Sequence, residues 1–389
     1  MARSGGTGPL TLVHNRPVVT LDGGVQALVD TAGSALLLST ALAESRGLAI
    51  IESVVGARGE TFTVLEPPSL VIGGYELDVD GVPAYGFDDT RALGLAASGL
   101  SLLLPASVLA RHSCRLDCVG GEAWFGPPGA DEARVGVRLR GSMSSSPGDG
   151  GAPRFAVSCS VGGVAGDDDD APLSLLLDTG VSCSLVSATV AQSWLASTPS
   201  SSPLPSSAAC VGPGNMAGLP IEARTPMVWP SAVLVGGEFT VPDVAFVLRA
   251  DADVSPFDGS LGGNVLRSFA LGLDLARGEV WLEQRAVAGG VGDADQVGVT
   301  VLLGDSVDAD GAVGAVGPWT IGSVLTGLSP SVQVGDELVS VDGRSVEGLP
   351  IDAVLALLSG SPGVDRRHLV LRRDGSSLVE ADAPVVRVL

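Results

Sequence analysis

Two aspartates that follow apolar runs are the residues of this sequence best suited to carry chemistry. Asp30 ends the run LVD and Asp178 ends the run LLLD, so each carboxylate is predicted to lie at the end of a buried strand. Such a carboxylate is poorly solvated, and two of them held close together would share one proton. The ionised group could then take a proton from a water that attacks a peptide carbonyl, while the protonated group protonates the developing oxygen. The pair therefore predicts peptide hydrolysis without a metal, a cofactor or a nucleophilic side chain.

Both aspartates lie in a duplicated part of the chain. Three segments recur in the same order: 28–43 in 176–191, 69–77 in 232–240, and 115–125 in 272–282. Their offsets are 148, 163 and 157 positions (176 − 28, 232 − 69 and 272 − 115), as loops of different length would produce. The middle segments carry Gly-Gly between two β-rich runs, a pattern that predicts a hairpin turn. Two copies of one lobe, related by pseudo-twofold symmetry, are expected.

The second copy resembles a known family. The segment LLLDTGVSCSLVS resembles the active-site segment of retropepsin-like aspartic proteases, and DGSLGGNVLRSFALGLDLARGEVWL resembles their second signature. The resemblance spans roughly residues 10–285 in two copies, and it implies a mainly β fold of two retropepsin-like acid-protease lobes. It assigns catalysis to Asp30 and Asp178, the hydrogen-bonded grip between the loops to Thr31 and Thr179, loop positions to Ala32 and Gly180, and supporting strands to Leu93-Gly94 and Leu261-Gly262.

The first lobe departs from the family pattern at Ala32, where the pattern has Gly directly after Thr. Glycine there lets backbone amides approach the carboxylate without a Cβ in the way. The methyl group of Ala32 is therefore expected either to distort the aspartate pair or to leave it usable after a small shift of the loop. Two alternatives to a monomeric enzyme follow: a catalytically inactive protease fold that binds peptides as an adaptor, and a homodimer that pairs Asp178 with its own copy.

The spacing of the supporting-strand motif also differs between the lobes. Gly94 lies 23 residues before Asp117 (117 − 94), whereas Gly262 lies 12 residues before Asp274 (274 − 262). This difference indicates that the first lobe has diverged more than the second.

Substrate is expected to lie across both lobes under β-hairpin flaps. The candidate flaps are 52–64 and 210–223, which occupy equivalent places between an aspartate loop and a Gly-Gly turn. Ordinary surface hairpins are the alternative interpretation of either segment alone. The glycines predicted at the flap tips are Gly56, Gly59, Gly212 and Gly214.

The last hundred residues do not continue the duplication. The segment LSPSVQVGDELVSVDGRSVEG and the run IDAVLALL resemble a PDZ domain and its groove helix. A structural domain without a ligand is the alternative. The resemblance assigns a carboxylate-binding loop to Val297, Gly298 and Val299 and the groove helix to Ile351, Val354 and Leu355. The predicted boundaries are 1–140 for the first lobe, 141–152 for a linker, 153–288 for the second lobe and 289–389 for the PDZ-like α+β domain.

The charge composition narrows the classes of molecule that the chain is expected to bind. The 44 acidic residues outnumber the 22 basic ones and leave a formal charge of −22, which disfavours nucleic acid and anionic membranes and leaves polypeptides as the expected partners. No signal peptide or membrane-spanning run is recognised, so an intracellular soluble protein is expected. A metal site could be formed by three potential ligands, His112, Cys114 and Cys118. Ordinary roles in a strand and in the core are favoured for them, and no metal is predicted. A serine hydrolase is disfavoured because no GxSxG motif follows a strand.

Overall fold

The computed structural model describes most of the chain in two compact units. The first unit holds the described residues up to 190 and from 232 to 285, and the second holds those at 227–228 and from 295 to 387. The described residues are 5–13, 15–55, 61–87, 100–145, 152–161, 172–181, 184–187, 189–190, 227–228, 232–242, 244, 246–249, 257–285, 295–297, 299–307, 313–324, 331–333, 335–349, 351–358 and 365–387. Among them, no helix is long and apolar enough to cross a membrane.

Strands dominate the first unit. Through the first lobe they are β1 (Gly6–Val13), β2 (Arg16–Thr20), β3 (Gln26–Asp30), β4 (Leu36–Ser39), β5 (Ile50–Val55), β6 (Thr61–Leu65), β7 (Leu70–Ile72), β8 (Tyr75–Leu77), β9 (Ala84–Phe87), β10 (Leu102–Pro105), β11 (Ser113–Asp117), β12 (Glu122–Gly126), β13 (Val137–Arg138) and β14 (Gly141–Ser145). They continue as β15 (Pro153–Val161), β16 (Leu173–Leu177), β17 (Ser184–Ser187), β19 (Ala232–Val235), β20 (Phe239–Pro242), β21 (Phe246–Arg249), β22 (Gly259–Leu261), β23 (Phe269–Asp274) and β24 (Glu279–Gln284). The intervening short strand β18 (Met227–Val228) belongs to the second unit. The described helical elements of the first unit are α1 (Thr40–Ser45), α2 (Ala106–Leu109), α3 (Gly263–Leu266) and a 3₁₀ turn at Asp131–Ala133.

The two strands that lead to the predicted catalytic aspartates are central strands of their sheets. Strand β3 lies between antiparallel β2 and parallel β10, and β16 lies between antiparallel β15 and parallel β22. Ala27, Leu28 and Val29 are fully buried, as an uninterrupted apolar run on a strand covered on both faces should be. The apolar runs therefore hold each aspartate at the carboxyl end of a rigid strand.

Hydrogen-bonded pairing joins most strands of this unit into two sheets. The first follows the order β13-β24-β23-β11-β12-β1-β2-β3-β10-β4-β9-β6-β5, and the second contains the path β21-β17-β22-β16-β15-β19-β20, with β14 also paired to β15. Strands β7 and β8 form a separate hairpin. The first sheet passes from one lobe into the other through the pairing of β11 with β23.

A pseudo-twofold axis passes through that pairing. Arg115 lies opposite Gly272 in the antiparallel register of β11 and β23. Their separation is 157 positions (272 − 115), which is the offset of the third repeated segment, so each residue faces its own counterpart. A contact in which a surface meets its own copy is the signature of a twofold relation. The predicted mainly β fold of two symmetry-related lobes is thus confirmed.

The Gly-Gly pairs form the predicted hairpin turns. Gly73 and Gly74 have φ angles of 54° and 80°, and Gly236 and Gly237 have φ angles of 62° and 76°. Positive φ at both central residues belongs to the tight turn whose twist matches a two-stranded ribbon, and only glycine adopts it without strain. The turns join β7 to β8 and β19 to β20.

The predicted linker is partly a strand. Gly141–Ser145 pairs with β15 along its whole length, from Gly141 opposite Val157 to Ser145 opposite Pro153. A Cβ at Gly141 would lie 2.3 Å from the carbonyl oxygen of Ala156, so the glycine permits this close pairing. The polar composition suggested a linker, whereas an unpaired edge of β15 recruits the segment into the sheet.

The second unit is an α+β domain. Besides β18, its described strands are β25 (Asp295–Val297), β26 (Val299–Val307), β27 (Val313–Val324), β28 (Glu337–Val341), β29 (Arg344–Ser345), β30 (Arg366–Arg373) and β31 (Ser377–Arg387), and its described helix is α4 (Ile351–Leu358). The sheet follows the order β25-β31-β30-β28-β27-β26, with β29 on β28. The buried residues of its core are Trp319, Ile321, Val332, Leu338, Val341, Val346, Val354, Leu358, Leu369, Leu371, Ala381, Ala383 and Val385. These elements match the predicted α+β content, and the PDZ assignment stays a prediction.

Candidate active site

Asp30 lies at the end of β3 with a carboxylate held by its own loop. The N–H groups of Ala32 and Gly33 both donate to its Oδ1, each at 2.9 Å. The residue is neither fully buried nor exposed, so the carboxyl group is fixed and still reachable from outside. Backbone donors of this kind orient a carboxylate and favour its ionised form.

Asp178 occupies the equivalent place in the second lobe. The N–H of Gly180 donates to its Oδ1 at 3.0 Å, and the N–H of Val181 is a further donor to the carboxylate. Its own N–H donates to the carbonyl of Leu261 on the neighbouring strand at 3.0 Å. The two aspartates are therefore held by matching sets of backbone amides, although their loops read DTAG and DTGV.

Thr31 and Thr179 lock the two loops together across the axis. The N–H of Thr31 donates to Oγ1 of Thr179 at 3.1 Å, and the N–H of Thr179 donates to Oγ1 of Thr31 at 3.0 Å. Each hydroxyl then donates to a carbonyl in the other lobe, Thr31 to Leu177 and Thr179 to Val29, both at 2.6 Å. Both threonines are buried, at 2% and 1% exposure. This crossed set of bonds brings the residues after both aspartates into direct contact.

The described strand that runs parallel to β3 beside Asp30 is β10. The parallel register of β10 places Leu104 beside Val29 and Pro105 beside Asp30, and the N–H of Ala106 donates to the carbonyl of Gly33 at 2.9 Å. In this register the support comes from Leu104-Pro105. The predicted residues, Leu93-Gly94, lie outside the described residues.

The equivalent strand pair of the second lobe is β16 with β22. Leu177 lies beside Leu261 in the parallel pair of β16 and β22, and the N–H of Gly263 donates to the carbonyl of Val181 at 2.9 Å. The supporting motif therefore ends at Gly262 here and at Pro105 in the first lobe, an offset of 157 positions (262 − 105). Since both motifs then precede their next aspartate by 12 residues (117 − 105 and 274 − 262), the inferred greater divergence of the first lobe is wrong on this count.

Ala32 does not deprive Asp30 of its donors. Its N–H bonds Asp30 at 2.9 Å, close to the 3.0 Å bond from Gly180 to Asp178. A Cβ at Gly180 would instead meet the carboxylate of Asp30 in the other lobe, 2.4 Å from Cγ. The third residue of such a loop can thus crowd the aspartate across the axis, and the loop of the first lobe forms the complete grip with alanine in place.

The surroundings keep a proton on the pair. Desolvation by burial raises the pKa of Asp30 above its ordinary value, against the lowering effect of its amide donors and of Arg154 and Arg16. Desolvation also raises the pKa of Asp178, and the neighbouring charge of Asp30 raises it further. Two carboxyl groups that share a low-dielectric site cannot both ionise easily, so the singly protonated pair is the favoured state.

Arg16 and Arg154 are the charged residues of this site that the sequence interpretation missed. Both attract the ionised form of Asp30, and Arg154 also attracts that of Asp178. Arg16 lies two residues before Val18 on β2, the strand that pairs with β3. Arg154 lies two residues before Ala156 on β15, the strand that pairs with β16. Because Arg16 precedes Asp30 by 14 residues and Arg154 precedes Asp178 by 24 (30 − 16 and 178 − 154), sequence spacing offered no signal for this pair.

The predicted flap tips, Gly56, Gly59, Gly212 and Gly214, lie outside the described residues. The strands that flank the first flap are described: β5 and β6 form an antiparallel hairpin, with Val55 opposite Thr61. Ile50, Ile51 and Val55 are exposed on β5, by 68%, 62% and 72%. The first candidate flap is therefore a hairpin with an apolar exposed strand.

The predicted peptide-binding residues of the second unit are partly placed. Val297 ends β25, Val299 begins β26, and Gly298 lies outside the described residues. Ile351 and Leu355 belong to α4, while the side chain of Val354 on the same helix is fully buried in the core of this unit. Val354 therefore holds the helix to the sheet.

His112 is a core histidine whose two ring nitrogens have protein partners. Nδ1 lies 3.0 Å from the hydroxyl of Tyr75, and Nε2 accepts from the N–H of Asp78 at 3.0 Å. Burial lowers its pKa, against the attraction of Asp78. Cys114 is fully buried, and desolvation raises the pKa of its thiol. The ordinary core role favoured from the sequence fits both residues.

Comparison with known proteins gives a distant likeness to solved structures. No protein-family model matches the chain, and no curated protein matches it. A solved aspartic proteinase from Irpex lacteus is similar over 74% of this chain and 99% of that chain, with 13% sequence identity and a TM-score of 0.41. Both values are low, so the chemistry of this chain is inferred from its own residues.

Proposed function

We propose that this chain is an aspartic-type endopeptidase in which Asp30 and Asp178 activate a water. The observation that carries the proposal is the crossed hydrogen bonding of Thr31 and Thr179. These buried hydrogen bonds, 2.6 to 3.1 Å long, join the two aspartate loops. If the two aspartate loops were only structural turns, the residues after both aspartates would not need to form hydrogen bonds with each other across the symmetry axis. The raised pKa of both carboxyl groups supports the same function.

The proposed reaction uses the shared proton. The ionised carboxylate takes a proton from the bound water as the water oxygen attacks the peptide carbonyl carbon, and the protonated carboxyl group donates to the carbonyl oxygen. As the tetrahedral intermediate collapses, the C–N bond breaks, the newly protonated carboxyl group protonates the leaving amine, and the other carboxylate takes a proton from a hydroxyl of the intermediate, which restores the singly protonated pair. Arg154 and Arg16 favour the ionised partner, and burial favours the protonated one, which is the combination such a pair needs.

The direction of the pKa shifts fixes the expected pH dependence. Because burial raises the pKa of both aspartates from 3.8, the pair keeps one proton above the pH at which an exposed aspartate has lost it. The stability contributed by that proton is present at low pH and is lost as pH rises through the raised pKa. Activity should accordingly extend from acid toward neutral pH and fall at higher pH, which a rate profile on one peptide measures.

Replacement of each aspartate by asparagine tests the proposal. Asn keeps the shape of the side chain and cannot carry the proton, so Asp30→Asn and Asp178→Asn should each abolish cleavage of denatured casein while leaving the circular dichroism spectrum unchanged. The matched control is Asp80→Asn, an exposed aspartate of the same unit, which should retain the native rate. Inhibition by pepstatin is expected for the native protein and the control.

The same experiment contains the rival outcome. Cleavage by either dyad variant at the native rate would refute the aspartic mechanism. Absence of cleavage by the native protein from acidic to neutral pH would leave the peptide-binding adaptor as the remaining function.

The enzyme is proposed to act as a monomer, since one chain supplies both aspartate loops. Specific activity should then stay constant on dilution. A steep loss on dilution, together with a dimer in sedimentation, would assign the site to two copies of Asp178.

The second unit is proposed to bind polypeptide. Among the described strands, β26 stands at the end of its sheet and pairs with β27 alone, which leaves an edge that an extended peptide could join. A library of peptides with free and amidated C-termini, measured by fluorescence anisotropy with the Asp178→Asn chain, tests this. Binding of free C-termini alone would support a PDZ-type site, and no binding of either set would support a structural role.

A further inference from the structure

Arg16 lies across the strand pair from Asp30. In the antiparallel register of β2 and β3, Val19 stands opposite Ala27 and Val18 opposite Leu28. Two further steps along both strands (18 − 2 and 28 + 2) bring Arg16 opposite Asp30. Residues two apart on a strand share a face, so Arg16 and Asp30 share the face of Val18 and Leu28. A cationic and an anionic group are thereby set on the same side at the strand end.

Arg154 repeats this arrangement in the second lobe. Ala156 stands opposite Leu176 in the register of β15 and β16, and two further steps (156 − 2 and 176 + 2) bring Arg154 opposite Asp178. The offset between the two arginines is 138 positions (154 − 16), the same as between Val18 and Ala156 (156 − 18). An arginine opposite each aspartate is thus part of the duplicated plan.

The environment makes these charges effective. Arg16 is fully buried and is the largest fully buried side chain of the described residues. Its Nε donates to the carbonyl of Val13 at 3.4 Å. Charges interact more strongly where water is excluded, so a buried guanidinium acts on a nearby carboxylate with little screening. The other elements that flank the aspartates, β10, β22, α2 and α3, carry no titratable side chain.

We propose that Arg16 and Arg154 are positioning residues of the catalytic pair, one from each lobe, which keep one carboxyl group ionised while the other retains its proton. The catalytic role of these arginines rests on the proposed endopeptidase function. Its physical content, attraction between two guanidinium groups and two carboxylates, does not depend on turnover. The electrostatic effect supports it: against the dominant raising effect of burial, Arg154 lowers the pKa of both aspartates and Arg16 lowers that of Asp30.

The test compares neutral and charge-retaining replacements. The variants are Arg16→Gln, Arg154→Gln, Arg16→Lys and Arg154→Lys, with Arg46→Gln as a control at an exposed arginine of the same unit. Carboxyl ¹³C NMR of labelled aspartate follows the titration of the pair in the full chain. The pH profile of kcat/KM is measured in parallel.

Loss of a positive charge disfavours the ionised form, so both Gln variants should move the titration and both limbs of the pH profile to higher pH. Turnover on the acid limb should fall about tenfold for each pH unit of that movement. The Lys variants should restore most of the native titration, and Arg46→Gln should leave it unchanged. Since Arg154 is less buried than Arg16, its variants keep the test valid if Arg16→Gln fails to fold.

An unmoved carboxyl titration in Arg154→Gln would overturn the proposal. So would a change confined to KM, which would assign the pair to substrate binding. If the chain proves inactive while the titration moves as expected, the endopeptidase function fails and the electrostatic role of the arginines stands.

Discussion

Gly180→Ala is expected to displace the carboxylate of Asp30, which belongs to the opposite lobe, and so to impair the catalytic pair. A Cβ at position 180 would lie 2.4 Å from Cγ of Asp30, 2.6 Å from Oδ1 and 2.7 Å from Oδ2. Ordinary contact begins at 3.4 Å, so the Asp30 carboxylate or the Gly180 loop has to move by about 1 Å (3.4 − 2.4). A misplacement of about an ångström can cost on the order of a hundredfold in rate, or about 2.7 kcal/mol in activation free energy.

The assay is kcat/KM on a quenched fluorescent peptide, with the unfolding midpoint measured beside it. The matched control is Ala32→Gly, which removes a methyl group from the equivalent loop position of the first lobe. The Ala32 N–H already bonds Asp30 at 2.9 Å, so this variant should change the rate little. Of the two alternatives that the sequence left open, a pair distorted by Ala32 predicts a large gain for Ala32→Gly, and a loop adapted to alanine predicts no change. A native rate in correctly folded Gly180→Ala, or a hundredfold gain in Ala32→Gly, would refute the structural argument.

Three further predictions concern stability. Thr31→Val removes a hydroxyl that makes two buried bonds between the lobes and should lower the unfolding free energy by about 2–4 kcal/mol in urea titrations, whereas Thr31→Ser, which keeps the hydroxyl, should lose much less. Since burial lowers the pKa of His112 from 6.5, the stability it contributes is present above that pH and is lost as the pH falls through the lowered pKa; His112→Gln should flatten this part of the stability profile. Asp336→Asn should weaken the paired bonds to Arg373, both 2.8 Å, and speed amide exchange in β28, with a smaller effect for the exposed Asp374→Asn.

The sequence determined the features that local pattern controls. Apolar runs ending in Asp30 and Asp178 predicted buried strands with carboxylates at their ends, and both strands form as expected. The Gly-Gly pairs predicted their turns because positive φ is a property of the residue itself. The order of repeated segments predicted two lobes, since two copies of one sequence fold by the same rules.

Only the tertiary structure decided which distant residues meet. The stretch RALGLAASGLSLLLP offers several apolar runs of similar pattern, and the parallel pairing with β3 selects Leu104-Pro105 as the support of Asp30. Local composition could not make that choice, because every run in the stretch satisfies the same hydrophobic pattern. Arg16 and Arg154 precede their aspartates by 14 and 24 residues (30 − 16 and 178 − 154), so their common place is hidden in the sequence. Strand pairing depends on hydrogen bonds between strands and not on the length of chain that joins them. The register of each strand pair therefore sets the arginine opposite its aspartate, although the connecting loops differ in length.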